Sequence, residues 1–326
     1  MTDSVQRLLA GDQRTLSRAI TSLERGAVEA TQLMKAVDPH TGGAYTIGIT
    51  GPPGAGKSTI ADQLTGLLRS QGLTVGIIAV DPTSPFTGGA LLGDRIRMQR
   101  HYLDPGVFIR SLATRGQSGG LARTVKSVVR LLDAAGKDVI LVETVGVGQT
   151  ELGIMGVADT VLVALMPESG DTVQTLKAGV MEIADIYLVN KSDREGANQM
   201  ATAITAMLHL APYTSDWSPP VVLSQANAGE GIDRLWGKIQ EHQHHLTSTS
   251  ALESKRQARR KQEFLETVEE ELSSRLKALI ESDSKFSSLL AEIAQKDDEP
   301  YSAARSFLDS PELQRVWFDP LLAEPD

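Results

Sequence analysis

The stretch GPPGAGKST, from Gly51 to Thr59, decides the fold class. It matches the phosphate-loop pattern G-x-x-x-x-G-K-[ST] in full, and it lies between the β-branched run at 46–50 and a helix-forming segment at 58–71. Glycines let backbone N–H groups turn inward around a phosphate, and the following helix presents its positive N-terminus to the anion. The pattern therefore predicts a strand, a phosphate-binding loop and a helix, in that order.

Three side chains of this loop have separate expected roles. Lys57 places a positive charge across the β- and γ-phosphates, Ser58 offers a hydroxyl to Mg²⁺, and Thr59 reaches toward the α-phosphate. Lys57 is also expected to be catalytic. The residues predicted to bind the nucleotide here are Gly51, Pro52, Pro53, Gly54, Ala55, Gly56, Lys57, Ser58 and Thr59.

Apolar, β-branched runs recur on both sides of the phosphate loop and predict seven strands. The runs are TIGIT, VGIIAV, VFIR, VILVET, TVLVALM, IYLVN and VVLS. Helix-forming segments at 58–71, 120–135, 194–209 and 230–245 separate most of them, as in right-handed βαβ crossovers. We therefore predict an α/β fold with a mainly parallel sheet, covered by helices on both faces. The expected organisation is a helical extension at 1–44, a P-loop domain at 45–246 and a helical region at 247–326.

Composition excludes several classes of protein. The 326 residues are 41% hydrophobic and 22% charged, as in an ordinary globular chain, and the net charge of -9 argues against binding nucleic acid. There is no cysteine, which excludes disulfides, thiolate zinc sites and iron–sulfur clusters. Neither a signal peptide nor an 18-residue apolar stretch is visible, so we expect a cytoplasmic protein without membrane association.

The segment Asn190-Lys-Ser-Asp193 predicts guanine specificity. It follows the strand IYLVN, so its side chains are expected at the carboxyl edge of the sheet, beside the phosphate loop. The Asp193 carboxylate can accept hydrogen bonds from guanine N1–H and the exocyclic amine, which adenine cannot supply in that geometry. Asn190 can bond the N7 edge and the loop backbone, and the stem of Lys191 can lie against the base. A second base loop is expected after VVLS, at Ser224, Gln225, Ala226 and Asn227.

Metal and switch residues are expected at or beyond the ends of two other strands, VILVET and VGIIAV. Glu143-Thr-Val-Gly146 ends the strand VILVET; the carboxylate can hold Mg²⁺ through water, and the Gly146 N–H can reach the γ-phosphate. Asp81 and Asp94 are further candidates for the metal shell or for orienting water. No glutamine follows Gly146 directly, since Val147 stands there, so we expect slow hydrolysis that a partner stimulates.

The C-terminal region carries an amphipathic helical pattern. Apolar residues recur every three or four positions from 264 to 280, and such a stripe needs a partner surface, either this domain or a second copy. The residues are Phe264, Leu265, Val268, Leu272, Leu276, Leu279 and Ile280.

Taken together, these motifs resemble the methylmalonyl-CoA mutase-associated GTPases. That family has also been described as arginine/ornithine transport ATPases, and it belongs to a dimeric class related to signal-recognition-particle GTPases. The resemblance covers nearly the whole chain. Besides GPPGAGKST and NKSD, it rests on the blocks at 80–98, 108–122, 143–151 and 166–186.

The resemblance implies a homodimer joined through a C-terminal dimerisation arm, with GTP and GDP bound together with Mg²⁺. It implies that Ser58, Asp81, Asp94 and Glu143 surround the metal, and that the segment 168–177 senses a partner. That partner would be a cobalamin-dependent acyl-CoA mutase of the methylmalonyl-CoA mutase type. GTP state would gate adenosylcobalamin loading and protect the mutase from inactivation.

Three other functions stay open from the residues. A nickel-inserting maturation GTPase would need a metal-binding tract, and the stretch EHQHH at 241–245 reads more readily as the polar end of a helix. A transport-associated NTPase or kinase would use ATP, against which the NKSD segment argues. A nucleotide-dependent scaffold would bind GTP without hydrolysing it.

Overall fold

The structure is a computed structural model. It describes the residues 2–81, 98–113, 123–144, 153–167, 183–210, 216–282, 284–295 and 299–309. The chain divides into two compact units, Met1–Arg256 and Gln257–Asp326.

A seven-stranded sheet forms the centre of the first unit. The strands β1 to β7 are Tyr45–Thr50, Val75–Asp81, Val107–Ala113, Val139–Thr144, Thr160–Leu165, Ile186–Asn190 and Val221–Ser224. Their order in the sheet is β3-β2-β4-β1-β5-β6-β7, and each pair of neighbouring strands is parallel. The predicted α/β class and the seven strand positions are confirmed. The phosphate-loop strand β1 lies in the middle, between β4 and β5.

Helices cover both faces of the sheet in the first unit. The helices α1 to α7 are Thr2–Leu9, Gln13–Glu24, Val28–Val37, Lys57–Ser70, Arg123–Ala134, Ala197–Leu210 and Ile232–Ser248. One hydrophobic cluster joins α1, α2, α3, α5 and α6 to one face, and a second joins α4 and α7 to the other. Neighbouring strand residues divide between these clusters, as Leu141 and Val142 do, because side chains alternate along a strand. Burial on both faces explains why the strands read as continuous apolar runs.

The second N-terminal helix, α2, packs against α5 and reaches the β3 edge of the sheet. Helix α2 begins after Asp12, whose carboxylate accepts a hydrogen bond from the Thr15 N–H over 2.7 Å. In the first turn of α2, the Gln13 amide donates to the carbonyls of Pro105 and Val107, at 3.0 and 3.3 Å. Val107 begins the edge strand β3. The extension at 1–44 is thus packed on the same core as the sheet.

The described part of the second unit is helical. Helix α8, Ala251–Ser282, contributes its residues from 257 onward, followed by α9, Ser284–Ala294, and α10, Pro300–Asp309. Large apolar side chains along α8 are exposed, among them Phe264 at 67% and Leu265 at 53%. No described helix is both long enough and apolar enough to cross a membrane.

Candidate functional site

The ends of five strands lie together at the carboxyl edge of the sheet. Parallel strands end on the same side, so the last residues of β1, β4, β5, β6 and β7 are neighbours there. These five strands are consecutive in the sheet order, with β1 and β5 at the centre. The sequence-predicted phosphate, metal and base residues therefore emerge side by side.

The phosphate loop requires glycine at two positions. Gly51 has a φ of +134°, and a Cβ placed there would lie 2.0 Å from the carbonyl oxygen of Ala164 on β5. Gly56 has a φ of +87°, and a Cβ would lie 2.4 Å from the Asn190 amide nitrogen. Both positions combine a positive φ with a neighbouring atom that leaves no room for a Cβ. Only glycine meets both conditions without strain.

Lys57 begins helix α4 and its side chain is buried under the loop. Its ammonium donates to the carbonyl oxygens of Gly51 at 2.7 Å and Pro52 at 3.1 Å. The side chain of Lys57 therefore extends back toward the beginning of the phosphate loop. Phosphate oxygens also accept hydrogen bonds and are negatively charged, so they bind an ammonium group more strongly than carbonyl oxygens do.

Ser58 and Glu143 bring two oxygen ligands together. The Ser58 hydroxyl donates to Oε1 of Glu143 over 2.6 Å, and both side chains are buried. Mg²⁺ binds oxygen at 2.0–2.1 Å in octahedral geometry, so neighbouring ligands lie about 3 Å apart, and it keeps several waters. The donor set and spacing fit this ion, with Glu143 binding directly or through water.

Asp81 is the last residue of the neighbouring strand β2.

A pair of hydroxyl groups lies next to Glu143, and no motif in the sequence singles it out. Thr144, the residue after Glu143, donates from its hydroxyl to that of Thr50 over 2.9 Å, and both are buried. The bond joins the ends of β4 and β1. It therefore fixes the start of the phosphate loop relative to Glu143.

Asn190 connects three loops through one side-chain amide. Its Nδ2 donates to the Ala55 carbonyl at 2.8 Å, while its Oδ1 accepts from the Ser224 hydroxyl at 3.1 Å and from the Ala226 N–H at 3.0 Å. The side chain is buried. The phosphate loop and both predicted base loops are thus held in one arrangement.

The remaining base-loop residues surround Asn190. Lys191 has a φ of +58°, which is uncommon for a residue with a side chain, and its ammonium lies 3.3 Å from Sδ of Met166. Asp193 and Asn227 are exposed, and Gln225 pairs with Glu230 through backbone hydrogen bonds. The Ser192 N–H donates to the Ser224 carbonyl at 3.0 Å, which keeps the two base loops adjacent.

Two predicted site residues, Asp94 and Gly146, lie outside the described residues, as does the segment 168–177. The side chain of Asp81 is likewise outside the description. The structure therefore brings together the phosphate loop, Glu143 and the two base loops.

The histidine-rich stretch at 241–245 differs from its sequence interpretation. It lies in the last turns of α7, as expected, but His242 is only 2% exposed. Its Nδ1 lies 2.8 Å from the Thr160 hydroxyl, which in turn lies 2.6 Å from the Tyr45 hydroxyl. Burial lowers the pKa of His242 to about 4, so the ring is neutral. Among the described residues, no group of three or more His, Asp or Glu could hold a metal ion.

A family model described as "Methylmalonyl Co-A mutase-associated GTPase MeaB" matches residues 16–281. The chain belongs to the MeaB family. The match includes every nucleotide-site residue described above. The protein is accordingly a P-loop GTPase that binds a guanine nucleotide.

Individual relatives agree with this membership. A protein of Pyrococcus abyssi is 49% identical over 307 residues, covering 93% of this chain and 94% of its own length. The GTPase ArgK of Escherichia coli is 34% identical over 327 residues, covering 98% of each chain. A crystal structure of an LAO/AO transport system kinase superposes with a TM-score of 0.74 at 29% identity, covering 94% of this chain and 95% of that one.

Proposed function

We propose that this GTPase is a chaperone for an adenosylcobalamin-dependent acyl-CoA mutase of the methylmalonyl-CoA mutase type. Its GTP state gates loading of the cofactor onto the mutase and protects the mutase from inactivation. The observation that carries the proposal is that Asn190 joins the phosphate loop to both predicted base loops, in a chain of the MeaB family.

The phosphate loop and Lys57 bind the phosphates of GTP. On binding, the ammonium of Lys57 exchanges the carbonyls of Gly51 and Pro52 for β- and γ-phosphate oxygens, which its present position under the loop allows. Ser58 and Glu143 would hold Mg²⁺, together with Asp81 and Asp94. When bound, the ion would supply positive charge that offsets the negative charge developing on the phosphates during hydrolysis.

The base loops select guanine. Asp193 accepts from N1–H and the exocyclic amine of the base, and its exposure at the carboxyl edge leaves it accessible to a ligand. The Ala226 N–H donates to Oδ1 of Asn190, and this bond keeps the second base loop next to Asn190. That loop consists of Ser224, Gln225, Ala226 and Asn227. Gly146 contacts the γ-phosphate and reports its loss. No glutamine follows Gly146, and hydrolysis is therefore slow until the mutase is bound.

We propose further that the C-terminal helical region joins two copies of the chain. The exposed apolar residues of α8 include Phe264, Leu265 and Leu272, at 67%, 53% and 44% exposure. A stripe of this kind is stabilised by burial against a matching helix. Sedimentation analysis tests this: Phe264→Glu should give monomers, whereas Gln262→Glu, which adds the same charge at an exposed polar position, should leave the dimer intact.

The decisive experiment measures phosphate release from GTP with and without an adenosylcobalamin-dependent methylmalonyl-CoA mutase. We expect the mutase to raise the hydrolysis rate about tenfold or more. In the same mixtures, mutase activity should decay more slowly in the presence of GTP. Lys57→Ala should abolish both effects because it removes the charge that holds the phosphates.

Two outcomes would overturn the proposal. An unchanged hydrolysis rate together with unchanged mutase decay would remove the chaperone function and leave a GTPase with another partner. Competition by ATP at the same concentration as GTP would instead favour a transport-associated kinase.

A further inference from the structure

Met166 follows the last residue of β5 and lies between the phosphate loop and the base loop that contains Lys191. Strand β5 pairs with β1, which precedes the phosphate loop, and on its other side with β6, which precedes the base loop. Because the three strands are parallel, the residue after β5 emerges at the carboxyl edge between those loops. The side chain of Met166 is half-buried there.

The first contact of Met166 is with the phosphate loop. A Cβ placed on Gly54 would lie 3.1 Å from the Met166 methyl carbon Cε and 3.7 Å from its Sδ. The end of the thioether side chain therefore lies against the Gly54 backbone. Methionine suits this position because its flexible side chain fills irregular gaps.

The second contact of Met166 is with the base loop. Its Sδ lies 3.3 Å from the ammonium of Lys191, and a thioether sulfur is a weak hydrogen-bond acceptor. Lys191 has a φ of +58°. The backbone of this turn is held by the Ser192 N–H bond to the Ser224 carbonyl, at 3.0 Å. Met166 contacts the far end of the Lys191 side chain and so bears on where its stem lies.

We propose that Met166 is a positioning residue for the guanine nucleotide. By contacting Gly54 and Lys191 with one side chain, it sets the distance between the phosphate loop and the lysine stem that lies against the base. The inference rests on the proposed nucleotide site. Since a lysine stem contacts any purine ring, Met166 strengthens binding of all purine nucleotides alike and does not itself select guanine.

A double-mutant cycle with Met166→Ala and Lys191→Ala tests the coupling, using the affinity for fluorescently labelled GDP as the readout. Met166→Ala should weaken GDP binding about fivefold in the native background and less than about twofold in the Lys191→Ala background. The control is Met155→Ala, which shortens an exposed methionine. It should bind GDP as the native protein does.

The same variants are measured with inosine diphosphate, which lacks the exocyclic amine. Met166→Ala should weaken GDP and inosine diphosphate binding by the same factor, because its effect passes through the lysine stem. A changed ratio would overturn the inference. Additive effects in the cycle would overturn it as well, because they would mean that Met166 does not act through Lys191.

Protein folding and the proposed site are checked separately. Thermal unfolding of the nucleotide-free variants shows whether they fold. If Met166→Ala does not fold, Met166→Leu keeps a similar volume and replaces the thioether with a branched hydrocarbon that cannot accept from Lys191. That variant should weaken binding about twofold, and only when Lys191 is present. If Lys57→Ala and Lys191→Ala both bind GDP as the native protein does, the proposed nucleotide site is wrong. If they weaken binding and Met166→Ala does not, only the role of Met166 is overturned.

Discussion

The hydroxyl of Ser58 donates to Oε1 of Glu143 over 2.6 Å and so joins the first turn of α4 to the end of β4. Neither residue is near the other in sequence. The contact connects the helix that follows the phosphate loop with the strand that precedes the proposed γ-phosphate switch. A change at Glu143 is therefore expected to affect metal binding and the phosphate loop together.

Glu143→Gln should make nucleotide affinity less sensitive to Mg²⁺. The amide keeps the size of the side chain and can still accept from Ser58, but it lacks the charge that favours a divalent cation. We expect the hydrolysis rate to fall about tenfold or more. GTP affinity measured across a magnesium titration checks this, with Glu29→Gln on the exposed side of α3 as control. A titration curve identical to that of the native protein would contradict the metal assignment.

Gly56→Ala should impair nucleotide binding more than the matched change Gly72→Ala. Both glycines have a positive φ, +87° and +81°, so both alanines carry a similar backbone cost of about 1–2 kcal/mol. Only at Gly56 would the new methyl also overlap a neighbour, the Asn190 amide, because nothing lies within 4 Å of a Cβ at Gly72. GDP affinity and thermal unfolding of the two variants separate these effects. Equal loss of affinity would show that the overlap with Asn190 has no consequence.

Asp193→Asn should shift base preference from guanine toward xanthine. The amide replaces one carboxylate oxygen with an N–H donor, which opposes the exocyclic amine of guanine and suits the 2-oxo group of xanthine, while the remaining oxygen still accepts from N1–H. We expect GDP affinity to fall about tenfold or more while xanthosine diphosphate affinity rises. Competition binding with both nucleotides measures the change. Asp216→Asn, at another exposed aspartate, should bind both as the native protein does.

The buried His242 should make the stability of the fold depend on pH. Burial lowers its pKa to about 4 in the folded protein, whereas an unfolded histidine titrates near its ordinary value. Between those values the unfolded chain binds more protons, so stability is full above about pH 6.5 and falls as the pH drops toward 4. The difference corresponds to about 3 kcal/mol.

Urea unfolding between pH 4 and pH 7 measures that dependence. His242→Gln should have a smaller loss of stability over this range, while the exposed His244→Gln should follow the native protein. If the native protein and His242→Gln lose stability in parallel, another group is responsible for the pH dependence.

The strands and the phosphate loop could be predicted because their signals are local. An apolar run such as 139–144 is typical of a strand buried on both faces. The glycines at 51–56 adopt positive φ angles, and their spacing is visible within a few residues of sequence. The order of strands is different, because it depends on how distant segments pair. The sequence did not place β5 between β1 and β6, and Met166 could not be recognised without that order.

His242 shows a second limit of sequence reasoning. The stretch EHQHH is polar in composition, yet the helical period turns His242 inward while His244 is exposed. Its partner Thr160 is 82 residues away. A buried hydrogen-bonded histidine and a solvated one look alike until the facing strand is known. The Thr50–Thr144 pair was missed for the same reason.

The bonds from Gln13 to Pro105 and Val107 have a consequence for the behaviour of the protein in concentrated solution. An outermost strand offers unsatisfied N–H and C=O groups to any other strand it meets, which is how sheets of separate molecules fuse into aggregates. Here the amide of Gln13 occupies one of those carbonyls, that of Val107, together with the carbonyl of Pro105 just before the strand. The first turn of α2 thus covers the beginning of this margin of the sheet, and shortening the chain at its N-terminus would cost solubility before it cost nucleotide binding.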